Sequence, residues 1–186
     1  MRDQDPKAPS FQVPLMLAFR EAFREGDAAK RIEERVAGER LVSARGSLKR
    51  RGADEVLLKR DLAIDLLSLV NTIDLGSAVD LSDLDRVKRS ILNYGLPDLS
   101  ALTSLESGVE NVGDYLKEAL LAHEPRLRPE SIHVEKTGEV NDETHRVSFA
   151  VSAEMACSPL DLPTEFVAEV DMGSGNIRLT RLPIST

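Results

Sequence analysis

The most regular pattern of apolar positions in the chain follows Asp54, which stands where a helix N-cap is expected. Large apolar residues recur there every three or four positions, which is the period of one helical face. These positions are Leu58, Leu62, Leu66, Leu69 and Ile73. Because Ile64, Leu67 and Val70 occupy the other faces, the pattern predicts a helix that is buried on more than one side.

Two shorter patterns predict further helices. Ser82, with Asp85 three residues later, indicates a helix start, and Gly95 is a plausible stop. The apolar face between them consists of Leu84, Val87, Ile91 and Leu92. Ser107 with Glu110 forms a second capping box, followed by an apolar face of Val109, Val112, Leu116 and Leu120. Pro125 ends this helix because proline disfavours the helical conformation of the residue before it.

The chain before residue 54 contains few apolar residues in any regular pattern. Pro14 stands where the first residue of a helix is expected, and a short amphipathic helix up to Gly26 has an apolar face of Leu15, Phe19, Ala22 and Phe23. A second helical stretch, residues 28–38, is almost entirely polar, and residues 1–13 predict a flexible arm. We therefore predict a flexible or helical basic arm over residues 1–53 and one domain over residues 54–186. Phe19 and Phe23 either fold back onto that domain or require a surface of another chain.

Beyond Pro129 the apolar period changes from helical to alternating, which is typical of half-buried strands. The alternating positions are Ile132 and Val134, then Val147, Phe149, Val151, Ala153 and Met155, then Phe166, Ala168 and Val170, and finally Ile177 and Leu179. Residues 173–176 form a glycine-containing hairpin turn. This order predicts an α+β fold in which N-terminal helices pack on a small antiparallel β-meander that ends in a C-terminal hairpin.

Charge and composition narrow the function. The 186 residues carry a formal net charge of −8, but residues 1–60 hold 14 Lys and Arg against 10 Asp and Glu. The overall acidity disfavours nucleic acid and anionic lipid, and the lack of Trp removes common platforms for stacking bases or sugars. No run of about 18 apolar residues predicts a membrane span. We expect a cytoplasmic protein that binds no nucleic acid and does not insert into a membrane.

Candidate catalytic and metal-binding residues are few. His123, His133 and His145 lie on different predicted elements without a metal-ligand spacing, and no glycine-rich phosphate loop is present. Cys157, the single cysteine, pairs with His133 or His145 only if the fold brings them together, and a buried structural cysteine is far commoner. We expect no metal, no cofactor and no small-molecule substrate.

Glu124 is the one carboxylate in an unusual position. It follows the apolar face of the last predicted helix, stands directly before Pro125 and lies two residues before Arg126. Glycoside hydrolysis needs one carboxyl group in an apolar pocket and a second nearby, so Glu124 is a candidate acid. The alternative is a salt bridge with Arg126 that fixes the turn from the helix into the sheet.

Three ordered motifs carry a resemblance to a known family. They are Leu69-Val70-Asn71-Thr72, then Ile91-Leu92-Asn93-Tyr94-Gly95-Leu96-Pro97-Asp98-Leu99, then His123-Glu124-Pro125-Arg126-Leu127. Together they resemble the TssE family of bacterial type VI secretion systems, within the phage-baseplate wedge family that is often labelled lysozyme-like. The resemblance extends over roughly residues 54–182 and does not include the N-terminal arm.

This resemblance implies a noncatalytic structural subunit of the baseplate rather than an enzyme. The implied partners are the wedge subunits TssF, TssG and TssK and the contractile sheath subunits TssB and TssC, whose polymerisation the family initiates. The implied location is the cytoplasmic face of the inner membrane, where the baseplate docks. Two alternatives remain: a peptidoglycan-hydrolysing lysozyme-like enzyme, and a wedge protein of a phage-like contractile tail.

The resemblance also implies where partners bind. The Glu-Pro-Arg of the family falls on Glu124, Pro125 and Arg126, which would contact the helical core bundle of the wedge partners, with a turn at Tyr94 and Gly95 beneath it. For the sheath we expect pairing along the C-terminal hairpin, whose candidate contact residues are Phe166, Val170, Ile177 and Leu179. One departure from the family pattern is Ile73-Asp74, where a basic residue is expected in many members.

Overall fold

The computed structural model describes most of the domain and part of the N-terminal arm. The described residues are 11–26, 35–36, 39–40, 52–101, 106–141 and 145–181. Four α-helices lie in them: α1 (Leu15–Arg24), α2 (Glu55–Val70), α3 (Asp85–Lys88) and α4 (Glu106–His123). Single 3-10 turns occur at Leu75–Ser77, Ile91–Asn93, Leu99–Ala101 and Pro129–Ser131.

Helix α2 confirms the main helical prediction. The Asp54 carboxylate caps it by accepting a hydrogen bond from the Leu57 amide at 2.7 Å. Leu58, Leu62, Leu66 and Leu69 are all buried, as their spacing predicts. The prediction for Ile73 is wrong, because α2 ends at Val70 and the Ile73 side chain is 61% exposed.

The helix predicted from Ser82 to Gly95 is mostly wrong. Only the single α-helical turn of α3 and the 3-10 turn at Ile91–Asn93 form, and Ser82 does not cap α3, because the Ser82 hydroxyl donates to the Asp80 carboxylate at 2.5 Å. Helix α3 ends at Lys88, and at Gly95 the chain packs against the end of α2 instead. Gly95 has φ of +129°, and a Cβ there would lie 2.3 Å from the carbonyl oxygen of Thr72. This close approach lets the Leu96 amide donate to Thr72 at 2.9 Å, so tertiary hydrogen bonds replace helical ones.

Helix α4 confirms the last helical prediction in its buried face and its end. Val112, Leu116 and Leu120 are buried, and the helix stops at His123, just before Glu124 and Pro125. Its start differs by a residue or two from the prediction, since Ser107 lies inside the helix and not at the N-cap. The side chain of Val109 lies outside the described residues.

The sheet confirms the predicted meander. Its strands are β3 (His133–Asn141), β4 (Arg146–Met155), β5 (Leu162–Asp171) and β6 (Ile177–Thr180), and all neighbouring pairs are antiparallel. The predicted alternation is reproduced along β4, where Val147, Phe149 and Val151 are buried. Helix α4 contacts β3, α2 contacts β6, and the two helices contact each other. The fold is therefore α+β, with the core between one face of the sheet and these two helices.

The N-terminal arm is partly packed against the domain. Phe11 is buried and exchanges backbone hydrogen bonds of 2.9 and 3.0 Å with Ala53, which ties residues 11–26 to the start of α2. The predicted helix is present as α1, but of its predicted apolar face only Ala22 is buried, and the prediction is wrong for Leu15, Phe19 and Phe23. Leu17 and Ala22 are buried, whereas Phe19 is 50% and Phe23 87% exposed.

The prediction of a second helix over residues 28–38 is wrong at residues 35–36, which the structure describes as a strand. β1 (Arg35–Val36) pairs with β2 (Glu39–Arg40) as a short antiparallel ladder. Residues 28–34 lie outside the described residues. Residues 28–38 contain only one pair of sizeable apolar side chains, so a helix there would have no apolar face to bury. Local helical propensity alone therefore does not determine the structure of this segment.

Candidate functional site

Five charged side chains meet where α1, α2 and the end of α4 come together, and we call this group the charged corner. It consists of Arg20, Asp61, Asp65, Glu124 and Arg126. Asp61 and Glu124 are only 3% and 5% exposed, and the other three side chains are 21–28% exposed. Three carboxylates and two guanidinium groups give the corner a formal charge of −1.

The turn after α4 brings Glu124 and Arg126 together. The Arg126 Nε and Nη2 atoms donate to the two Glu124 carboxylate oxygens, each at 2.6 Å. The Arg126 amide also donates to Glu124 Oε1 at 3.2 Å. This bidentate pair confirms the junction salt bridge that the sequence offered as one alternative, and it fixes the direction in which the chain leaves the helix for the sheet.

Helix α2 supplies two carboxylates that the sequence reasoning missed. Asp61 and Asp65 are one turn apart and face the same side. Arg126 donates to Asp61 at 2.9 Å and to Asp65 at 2.6 Å. The sequence signal that could have identified them is a pair of acids four residues apart within a strongly apolar helix, where burying an unpaired carboxylate would cost free energy.

Arg20 closes the network from α1, and sequence reasoning missed it as well. Its Nη1 atom donates to Asp61 at 2.6 Å and to Asp65 at 3.1 Å, and its Nη2 atom also bonds Asp65. Glu21 beside it accepts from Arg60 at 3.1 Å. Since Arg20 and Glu21 pair with α2 and Leu17 is buried, the face of α1 with these residues is turned toward the domain, and Phe23 on another face remains exposed.

The pKa shifts of Asp65, Arg126 and Arg20 all favour the ionised forms of these side chains. Burial by itself would raise the pKa of Asp65, but the Arg20 hydrogen bond and the charges of Arg126 and Arg20 outweigh it and lower that pKa. Burial would lower the pKa of Arg126, yet the hydrogen bonds and charges of Glu124 and Asp65 raise it. The Asp65 hydrogen bond is the main reason that the pKa of Arg20 is raised. Ionised groups on both sides therefore stabilise one another.

A cleft of about 590 Å³ opens beside the corner, between the start of α1 and the end of β4. Arg126, Arg128, Leu15 and Cys157 are among its lining residues. Arg128 is held by Asp161, with the closest pair of atoms 2.6 Å apart. Burial raises the pKa of the Cys157 thiol, so the residue lacks the thiolate character of a nucleophile. The cleft thus offers Arg126 and apolar surface to a neighbour.

The predicted turn at Tyr94 and Gly95 lies next to the corner. The Tyr94 ring packs edge-on against His123, with centroids 5.2 Å apart, and its hydroxyl donates to the Asp65 carbonyl oxygen at 3.4 Å. His123 directly precedes Glu124, so the turn contacts the corner at two points, through Asp65 on α2 and through His123 at the end of α4. Tyr94, His123 and Glu124, which belong to motifs that carry the family resemblance, are therefore close in space.

The predicted contact residues of the hairpin occupy a different position. The side chains of Phe166, Val170, Ile177 and Leu179 are buried in the core, at 0–6% exposure. The outer face of the hairpin presents Glu165, Glu169 and Arg178 instead. Strand β6 pairs with β5 on one side and with no strand of the described chain on the other. A strand added here would use the free backbone edge of β6.

The geometry offers little to a hydrolase. Both Glu124 carboxylate oxygens are bonded to Arg126, and Asp61 and Asp65 share the same two guanidinium groups. Within the described residues no group of three His, Cys, Asp or Glu side chains is arranged to hold a metal ion. No helix in the described part of the chain is both long enough and apolar enough to cross a membrane.

Comparison with known proteins gives a family for this architecture. The family described as baseplate wedge protein gp25, which includes TssE of type VI secretion, matches residues 56–160. The match includes four members of the charged corner but neither Arg20 nor β6. Comparison with curated proteins and with solved structures gave no match. The matched family is a structural component of baseplates. With more than half of its length matched, the chain belongs to the gp25 family of baseplate wedge proteins.

Proposed function

We propose that this chain is a noncatalytic structural subunit of a type VI secretion baseplate. In this role it assembles with the wedge subunits TssF, TssG and TssK and initiates polymerisation of the contractile sheath of TssB and TssC. Family membership supports the structural role. The observation that carries the more specific role is the outer edge of β6, which pairs with no strand among the described residues, together with a separate charged corner.

The charged corner is the proposed contact with the wedge. Pro125 is exposed and the Arg126 side chain is 21% exposed, whereas Glu124 is buried beneath them. A partner would therefore contact Pro125 and the edge of Arg126 directly. Glu124 acts through Arg126 by holding its guanidinium group in a fixed direction.

The Glu124→Gln variant tests this contact and also the hydrolase alternative. Loss of the charge weakens the hold on Arg126, and we expect at least tenfold weaker binding to a purified TssF–TssG complex. Glu118→Gln, on the exposed surface of α4, is the matched control and should bind as the wild type does. Unchanged affinity of Glu124→Gln, with the fold intact by circular dichroism, would contradict the wedge contact. Steady peptidoglycan cleavage by the wild type that Glu124→Gln abolishes would establish the hydrolase.

The free edge of β6 is the proposed starting point for the sheath. An exposed strand edge can accept a strand of another chain through backbone hydrogen bonds. Deleting residues from 177 onward would remove two buried side chains, so disulfide trapping is the cleaner experiment. In a Cys157→Ser background, Arg178→Cys on β6 should trap a cysteine-substituted sheath strand. Glu135→Cys on the opposite edge, β3, is the control. Trapping by β3 and not by β6 would contradict this assignment.

The phage-like contractile tail remains the second reading within the same family. It predicts the same corner and the same free edge, but different partners. Binding to TssF and TssG favours the secretion baseplate, whereas binding only to the wedge proteins of a tail encoded beside this gene would favour the tail.

A further inference from the structure

Three short turns pack together on the surface and expose large aliphatic side chains. They are Leu75–Ser77, α3 and Ile91–Asn93. Ile91 is 81% exposed and Leu92 68%, and the neighbouring turns contribute Leu84 at 47% and Leu75 at 36%. We call these four residues the aliphatic patch. Exposed aliphatic residues gathered in one place are characteristic of binding surfaces, whereas single exposed ones are ordinary.

Hydrogen bonds hold the patch in one conformation. The Asn93 side chain joins two of the turns, accepting from the Gly76 amide at 2.8 Å and donating to the Lys88 carbonyl oxygen at 3.2 Å. Ser90 accepts from the Leu92 amide at 3.2 Å. Because the turn is fixed before any partner arrives, little conformational entropy is lost there on binding.

Three cations lie beside the patch, and we call them the basic rim: Arg86, Lys88 and Arg89. All three are exposed, and none forms an ion pair with another residue that the structure describes. Residues 83–93 contain these three bases and two acids, Asp83 and Asp85, a net charge of +1 in a chain of −8. The nearby carboxylates of Asp74 and Asp80 are engaged by Ser77 and Ser82.

We propose that the aliphatic patch and the basic rim bind an acidic amphipathic α-helix of a partner protein. Its apolar stripe would cover the patch, and carboxylates along its flank would face the rim. Charge complementarity sets the sign of the partner's charge, since the rim cations form no ion pairs with other described residues. The patch contains no strand edge, so side chains rather than backbone pairing must provide the contact.

Other occupants fit the surface less well. An anionic membrane is an extended negative surface and would be repelled by the net charge of −8 of the whole chain. A second copy would have to bring its own basic rim against this one if the contact were symmetric, and like charges across an interface are costly. The surface is separate from the corner and from β6, so the proposal does not depend on either contact.

Titration of the labelled full-length chain with two synthetic helical peptides tests the proposal by NMR. Both peptides carry leucines on one face, and they differ only in having glutamates or lysines along the flanks. We expect the glutamate peptide to shift the amide signals of residues 84–93 and to bind at least tenfold more tightly than the lysine peptide. Arg86→Glu combined with Arg89→Glu should reverse this preference.

The aliphatic contribution is tested by Ile91→Ser combined with Leu92→Ser, which should weaken the glutamate peptide by at least tenfold. Matched controls are Val56→Ser, 63% exposed on α2, and Lys117→Glu, exposed on α4, and both should bind as the wild type does. The proposal is overturned if the two peptides bind equally, or if the glutamate peptide leaves residues 84–93 unshifted. It is also overturned if phosphatidylglycerol vesicles, or raised concentration of the chain alone, shift these residues in place of the peptide.

Discussion

The charged corner and the aliphatic patch depart from the usual distribution of residues in opposite directions. The corner places charged groups inside, with Asp61 and Glu124 almost fully buried. The patch places aliphatic groups outside, with Ile91 and Leu92 mostly exposed. The free-energy cost of burying these charges is offset within the corner, because each carboxylate is bonded to a guanidinium group. The patch has nothing within the described chain to cover it, so only another molecule can remove it from water.

The comparison shows two ways of preparing a surface for assembly. At the corner, the network fixes the direction of Arg126 and leaves Pro125 and only the edges of Arg20, Asp65 and Arg126 accessible. At the patch, local hydrogen bonds fix the backbone and leave whole side chains accessible. Mutations should therefore act differently in the two regions: on stability as well as binding at the corner, and on binding alone at the patch.

Asp61→Ala should have the largest effect on stability. It leaves Arg20 and Arg126 each without one carboxylate partner in a largely buried position, and we expect a loss of about 3–5 kcal/mol in the free energy of unfolding. Denaturant unfolding measures it, with Asp83→Ala on the surface as the control. A loss no larger than that of the control would show that the corner does not depend on closed charge pairing.

Gly95→Ala tests the link between the two regions, since Gly95 follows the turn of the patch and the preceding residue, Tyr94, packs beside the corner. The added Cβ would lie 2.3 Å from the Thr72 carbonyl oxygen, at a φ of +129°. We expect a loss of about 2–4 kcal/mol in the free energy of unfolding. Gly26→Ala, where nothing lies within 4 Å of the added Cβ, is the comparison for backbone strain without a clash. Equal losses for the two variants would rule out the close approach as the cause.

Acidification should weaken the corner selectively. The pKa of Asp65 is lower in the folded chain than its ordinary value of 3.8, so its ionised form stabilises the fold above that pH. This contribution is lost as the pH falls below 3.8 through the folded value. The difference in unfolding free energy between the wild type and Asp65→Asn should therefore shrink in that range. A difference that stays constant down to the acid limit of folding would contradict the lowered pKa.

Ile91→Ser combined with Leu92→Ser should have the smallest effect on stability. Both side chains are already in water, so we expect a change within about 0.5 kcal/mol in the free energy of unfolding. The same denaturant experiment measures it beside Asp61→Ala. A loss of several kcal/mol would mean that the patch is part of the core, and the contrast between the two regions would disappear.

Periodicity along the chain was enough to predict most of the fold. The leucines of α2 and the alternating residues of β4 were correctly predicted to be buried, because each pattern can bury its apolar face in only one conformation. The Glu124–Arg126 bridge was also accessible from sequence, since its two members are two residues apart. Predictions failed where the local pattern was weak, as at Ser82, whose hydroxyl bonds Asp80 instead of capping a helix, and at Ile91, which is exposed.

The sequence by itself determined the helices with strong apolar faces, the meander and the composition of the turn after α4. Only the tertiary structure decided that Arg126 is shared by Asp61, Asp65 and Glu124, and that Arg20 completes the group. Residues 41 to 65 positions apart form these bonds, and no local spacing encodes which distant charges will meet. Tertiary structure also decided which face of α1 is buried, because ion pairs with α2 placed Arg20 inward beside the buried Leu17 and left Phe19 and Phe23 exposed.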